Sequence, residues 1–224
     1  MIRRDYILRM VEEFVRALAR IKNHKSKQSW AESRTEIEAE LKRLFGGTVE
    51  DLKNISETEI LGKLVATDSA FLVKEKATML TTLLKEAGDV ASGEGDTESG
   101  RLLHLKGFNL LLGLLNRGDI YECPEYCPNV EIFLQSLEGQ DLPLNILAGL
   151  MQYFERTGNF GRAEDTLFEM RDANVGPTEL RRFGISFYER LLGRTDEELE
   201  AGGLPRVEAE TGLGEFKKLV GNGA

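Results

Sequence analysis

The sequence predicts an all-α fold assembled from antiparallel helix pairs, and three observations carry that expectation. Apolar residues recur at steps of three and four, as in Ile7, Met10, Val11, Phe14, Ala17, Leu18 and Ile21, which gathers them on one broad face of a helix. No stretch alternates apolar and polar residues for long, so no strand is assigned. Only 5 prolines occur in 224 residues, which suits a largely helical chain.

The elements follow in order. The first helical pattern ends in the polar, locally basic KNHKSKQS at 22–29. A second runs from Trp30 through Ile37, Leu41 and Leu44 to Gly46-Gly47. Two capping boxes come next, Thr48 with Asp51 and Ser56 with Glu59. In each, a hydroxyl can accept a backbone N–H while an acid sits near the positive helix end, so each marks a short helical start. A longer pattern covers about 69–92, the acidic link GEGDTESG occupies 93–100, and an apolar helix runs from Arg101 to about Asn116, making a hairpin. RGDIYECPEYCPN at 117–129 reads as a loop held by Pro124 and Pro128. Short helices are expected at 129–138 and 143–157, a turn at Gly158-Asn159, and a returning helix at 160–172. Gly176-Pro177 closes that pair, Thr178 with Arg181 and Arg182 opens a helix through Leu192, and DEELE after Thr195 forms a short one. A Gly-Gly-Leu-Pro link at 202–205 leads to a final pattern at 206–220.

In LAGLMQYFERTGNFGRAEDTLFEM, at 147–170, Leu147, Leu150 and Phe154 share a face, Gly158 permits a tight turn, and Phe160, Ala163, Leu167 and Met170 supply the facing stripe. This arrangement resembles a tetratricopeptide repeat, with Ala163 at the small position and Pro177 slightly late. A weaker copy lies over 84–107: Leu84, Ala87, Gly88 and Ala91, a turn at Gly95, then Gly100, His104 and Gly107. Gly107 in a helix costs about 1 kcal/mol relative to alanine. The likeness implies stacked pairs in a right-handed superhelix over 67–194, preceded by a helical segment at 1–66 and followed by a helical extension at 195–224. The start, MIRRDYILRMVEEFVRAL, is similar to an uncharacterised family of bacterial proteins with tetratricopeptide-like bodies. That likeness implies a fold and a bacterial origin, and brings no catalytic residue with it.

Composition narrows the function classes. With 30% charged residues and a formal net charge of −9, the overall field repels phosphate backbones, and no nucleic-acid partner is expected. Asp5, Arg9, Glu12 and Glu13 interrupt the first apolar residues, so the start does not read as an export signal. The most apolar run, LLHLKGFNLLLGLL at 102–115, carries Lys106 and is shorter than the about 18 residues a bilayer demands. A cytoplasmic protein without a membrane span is expected. Its two cysteines form no disulfide framework.

No HExxH, GxSxG or phosphate-loop lysine motif is present. Cys123 and Cys127 stand four apart, whereas zinc and redox motifs usually place two residues between cysteines, and His24 and His104 are the only histidines. The expected reading is reduced structural thiols. His104 lies among Leu102, Leu103, Leu105 and Phe108 and reads as packed, with one nitrogen hydrogen-bonded. GEGDTESG lacks both the phosphate-loop lysine and calcium-loop spacing, and reads as a solvated turn. Arg16, Arg20, Lys22, Lys25 and Lys27 form an acid-free run that could touch an anionic surface, although cations also suit a helix C-terminus.

No catalytic residue, metal ligand or cofactor is therefore assigned. The expected function is a non-enzymatic protein-interaction or scaffold module that takes a protein or peptide partner. Asn145, Gln152 and Tyr153, not needed for packing, could face the groove, and Arg181 and Arg182 could meet an acidic partner. A homodimer through a helix at 2–21 is the alternative, followed by an enzyme or a metal or redox protein using the Cys123/Cys127 loop.

Overall fold

The computed structural model describes residues 2–120, 122–172 and 177–218, and among them there are helices and no strand. The helices are α1 (Ile2–Ser26), α2 (Trp30–Phe45), α3 (Val49–Asn54), α4 (Glu57–Thr67), α5 (Ala70–Gly93), α6 (Thr97–Arg117), α7 (Val130–Ser136), α8 (Leu144–Arg156), α9 (Phe160–Asp172), α10 (Pro177–Leu192), α11 (Asp196–Ala201) and α12 (Arg206–Lys218). The fold is all-α. Two compact units divide it, residues 1–140 and 141–224.

In the first unit the long α5–α6 hairpin is the frame. Its turn passes through Gly95, whose φ of 92° suits glycine, and Asp96 caps α6 by accepting the Ser99 amide at 3.0 Å. The link GEGDTESG is thus a turn and a cap. Gly107 has a packing reason: a Cβ there would lie 3.1 Å from the Phe133 ring and 3.2 Å from Leu84 Cβ. Phe133, brought in by α7, stacks on Phe108 with ring centroids 5.2 Å apart. Both capping boxes form completely, Thr48 with Asp51 and Ser56 with Glu59.

The apolar face of α1 is covered inside this unit. Phe14, Ala17 and Ile21 are fully buried, and Met10 and Leu18 nearly so, in a core shared with Ile37 and Leu41 of α2 and Leu80, Leu83 and Leu84 of α5. Helices α2 and α5 thus cover this face within the unit. The two compact units part at 140/141, and α2 lies in the same unit as α5, against which Ile37, Leu41 and Leu44 are buried.

In the second unit α8 and α9 form the antiparallel pair read from 147–170. Gly158 turns the chain with φ 77°, and the Asn159 amide donates back to the Phe154 carbonyl at 2.8 Å. Ile146, Leu147, Leu150, Met151 and Phe154 face Phe160, Ala163, Leu167 and Met170. Helix α10 packs on α12, with Phe187, Tyr188 and Phe216 at or near zero exposure. The Tyr188 hydroxyl donates to Glu164 Oε1 at 2.6 Å and ties α10 to α9. A third capping box, Thr195 with Glu198, starts α11. The expected turn at Gly176-Pro177 lies in part outside the described residues, since 173–176 are not described.

Candidate functional site

Helix α8 has two contrasting sides. At 100° per residue, Asn145, Gly149, Gln152 and Arg156 lie opposite the core stripe Ile146, Leu147, Leu150, Met151 and Phe154. Asn145 and Gln152 are exposed, Tyr153 is half-buried at the margin with its ring 5.5 Å from that of Phe154, and Leu144 is 44% exposed. Between Leu144 and Phe154 the outward side is therefore uncharged, with small Gly149 at its centre, and charge enters this side at Arg156 in the last turn. From Leu144 to Phe154 the helix carries no charged residue.

Arg181 and Arg182 lie on α10, not on the α8 face. Arg182 is exposed and Arg181 half-buried, its Nε buried without a hydrogen-bond partner among the described residues. One bidentate pair links the two helices: Arg190 Nε and Nη2 of α10 donate to Glu155 Oε1 and Oε2 of α8 at 2.6 and 2.7 Å.

The first unit holds a cluster of charges that sequence reading did not assemble. Lys25, at the end of α1, pairs with both Glu86 and Asp89 of α5. Lys85 reaches Asp89 Oδ2 at 2.6 Å, and His104 Nε2 on α6 lies 3.0 Å from Asp89 Oδ1. Burial would raise the Asp89 pKa, but hydrogen bonds from His104, Lys25 and Lys85 outweigh it and hold the carboxyl well below the usual range. Burial would lower the Lys25 pKa, and its two acids reverse that. Two lysines balance two carboxylates, so the cluster fastens the end of α1 onto α5 and α6. His104 is packed and hydrogen-bonded, as its apolar surroundings suggested. The signal available in sequence was Lys85, Glu86 and Asp89, which follow an uncharged run from Ala77 to Leu84 in α5.

The acid-free basic run is largely consumed within the unit. Arg16 pairs with Glu12 at 3.4 Å, Arg20 with Glu36 at 2.9 Å, and Lys25 with the cluster just described. A cleft of about 340 Å³ in the same unit is lined by Arg34, Glu38, Glu50, Lys53, Glu94 and Asp96, among others. Its charges also answer one another, Arg34 with Glu94 and Lys53 with Glu50.

The cysteine loop docks on the frame of the first unit. The Tyr126 ring meets Phe14 edge-on with centroids 5.3 Å apart, and its hydroxyl donates to Glu75 Oε2 at 3.3 Å. The Thr82 hydroxyl donates to the Tyr126 carbonyl at 3.4 Å. Cys127 is buried and Cys123 half-buried, both as free thiols. Tyr121 of this motif lies outside the described residues. Among the described residues, no group of three or more His, Cys, Asp and Glu side chains could hold a metal ion. No described helix is long and apolar enough to cross a membrane.

A family model described as a family of unknown function, DUF6483, matches residues 1–221. Neither a curated protein nor a solved structure matches the chain.

Proposed function

We propose that this chain, which belongs to the DUF6483 family of unknown function, is a helical protein-interaction module that takes a peptide or partner helix on the outward face of α8. One observation carries this reading: in a protein with 30% charged residues, α8 has none from Leu144 to Phe154, although Leu144, Asn145 and Gln152 are exposed. Charged residues are depleted at the centres of protein interfaces, where their desolvation is costly. Small Ala148 and Gly149 between polar Asn145 and Gln152 would let a partner backbone approach closely while its amides find hydrogen bonds. Arg181 and Arg182 are assigned to acidic groups of a partner. On this reading α5–α6 and α8–α9 are tetratricopeptide-like pairs, in a cytoplasmic protein of bacterial origin as the N-terminal likeness implies.

The reading is tested by placing a photoreactive side chain at Gln152, with an exposed control position at Glu210 on α12, and illuminating in native extract. A discrete adduct at position 152 that is missing at position 210 supports it. Equal or absent labelling at both removes it.

A second reading is favoured by Tyr6, Leu8 and Val15 of α1, which are 57, 53 and 42% exposed. Leu8 and Val15 are seven residues apart, the spacing at which one helix meets a second copy. Solution mass decides it: a dimer that Leu8→Glu converts to monomer supports self-association, and a wild-type monomer at high concentration excludes it.

A further inference from the structure

Helices α2, α3, α5 and α6 of the first unit surround the cleft of about 340 Å³, a volume within the range of small-molecule sites. Its floor is apolar. Ile37 of α2, Val49 of α3, Val90 of α5 and Leu103 of α6 line it, and Ile37 and Leu103 are each 1% exposed. Ala87 and Ala91, about one turn apart on α5, also line it, and their short side chains leave the space open.

The charged part of the lining is unbalanced. Four carboxylates, of Glu38, Glu50, Glu94 and Asp96, stand against the two cations Arg34 and Lys53. Both cations are engaged: Arg34 reaches from α2 to Glu94, just past the end of α5, and Lys53 pairs with Glu50 at 3.3 Å. Glu38 and Asp96 are left with no cation at ion-pair distance among the described residues. Each accepts a backbone amide instead, Glu38 from Val49 at 3.3 Å and Asp96 from Ser99 at 3.0 Å, which orders the carboxylate without neutralising it. A cleft whose lining carries an excess of one sign beside low-dielectric walls concentrates ions of the other. An anionic ligand would meet that excess and find both cations already taken.

We infer that this cleft binds a small organic ammonium ion with an apolar body, its ammonium toward Glu38 and Asp96 and its body against Ile37, Ala87, Ala91 and Leu103. An ammonium only donates hydrogen bonds and an ionised carboxylate only accepts them, with lone pairs to spare beyond one backbone amide. The apolar floor exchanges its water for the body of the ligand, which a bare inorganic cation would not supply. Among the described residues, no group of three or more His, Cys, Asp and Glu side chains could hold a metal ion, and that also disfavours one here. The site does not depend on the α8 reading.

The test titrates the whole protein with phenethylammonium chloride and, separately, with sodium phenylacetate, which carries the same ring and the opposite charge. NMR follows the methyl resonances of Ala87, Val90, Ala91 and Leu103. Phenethylammonium is expected to shift them saturably, and phenylacetate to bind at least about tenfold more weakly. Glu38→Gln, which keeps an oxygen acceptor for the Val49 amide, is expected to weaken phenethylammonium binding at least about threefold. Ala91→Leu fills the cleft and is expected to abolish it. No saturable shift at these methyls, or phenylacetate bound as tightly as phenethylammonium, overturns the proposal on the wild type alone, whether or not either variant folds. Undiminished binding by a folded Ala91→Leu protein overturns the location.

Discussion

Gly88 and His104 occupy one crossing point between α5 and α6: a Cβ on residue 88 would lie 2.4 Å from His104 Cδ2 and 2.5 Å from its Nε2. Gly88→Ala gains up to about 1 kcal/mol of helix propensity and meets an overpacking cost of about 1–3 kcal/mol. Net destabilisation is expected in urea unfolding. In a His104→Ala background only the Gly100 carbonyl, 3.0 Å from that Cβ, still crowds the methyl, so Gly88→Ala is expected to cost less there. Additive effects of the two substitutions would contradict the shared crossing point.

Asp89 gives the first unit an acid-sensitive fastening. Its folded pKa lies below the ordinary carboxylate value of 3.8, so its contribution is full above that value and is lost as pH falls from there through the folded pKa. At neutral pH, Asp89→Asn is expected to cost at least about 1–3 kcal/mol, since Lys25, Lys85 and His104 lose a charged acceptor. The difference from wild type should narrow below about pH 4. Unfolding curves with the same offset at pH 7 and pH 3 would contradict it.

Glu164 has the opposite sign. Burial, set against the Tyr188 hydrogen bond and reinforced by neighbouring acids, raises its pKa above 4.5, so ionised Glu164 costs stability at neutral pH and the cost disappears as pH falls below the ordinary value. Glu164→Gln keeps an acceptor for the Tyr188 hydroxyl and is expected to be neutral or stabilising at pH 7, with the gain vanishing near pH 4. Tyr188→Phe removes the bond and is expected to cost about 1 kcal/mol. Thermal unfolding at the two pH values checks both.

The capping boxes carry a local prediction. Ser56→Ala in the first unit and Thr195→Ala in the second are each expected to cost about 1 kcal/mol, because each leaves a helix-start N–H without its hydroxyl acceptor. Hydrogen exchange should show the loss concentrated at the first turns of α4 and α11.

Local signals made most helices readable. Ser56 with Glu59, Gly158 between two apolar stripes, and the buried positions of α1 each depend on residues within a few turns. What sequence did not reveal depends on distant partners. Lys25 and Asp89 are 64 positions apart, and no periodicity announces that they meet. Gly107 reads as a weak helical position until Phe133 is seen beside it. The apolar face of α1 is evident, yet what covers it is decided by α5, far along the chain. Among the proposed partner-binding residues, the exposure of Asn145 and Gln152 follows from helical geometry, and Arg181 and Arg182 read as part of the next helix, whereas the burial of Arg181 Nε required the packed unit.

The proposed interaction depends most on the outward face of α8 between Leu144 and Phe154 being a partner surface. Asn145→Asp and Gln152→Glu should leave stability within about 0.5 kcal/mol, both sites being exposed and away from the core. The measurement is photocrosslinking from position 152 in native extract, repeated with Asn145→Asp present. A single discrete adduct is expected at 152, none from position 210, and loss of that adduct when charge is introduced at 145. An unchanged adduct with Asp at 145, or no adduct distinguishable from the control, would contradict it.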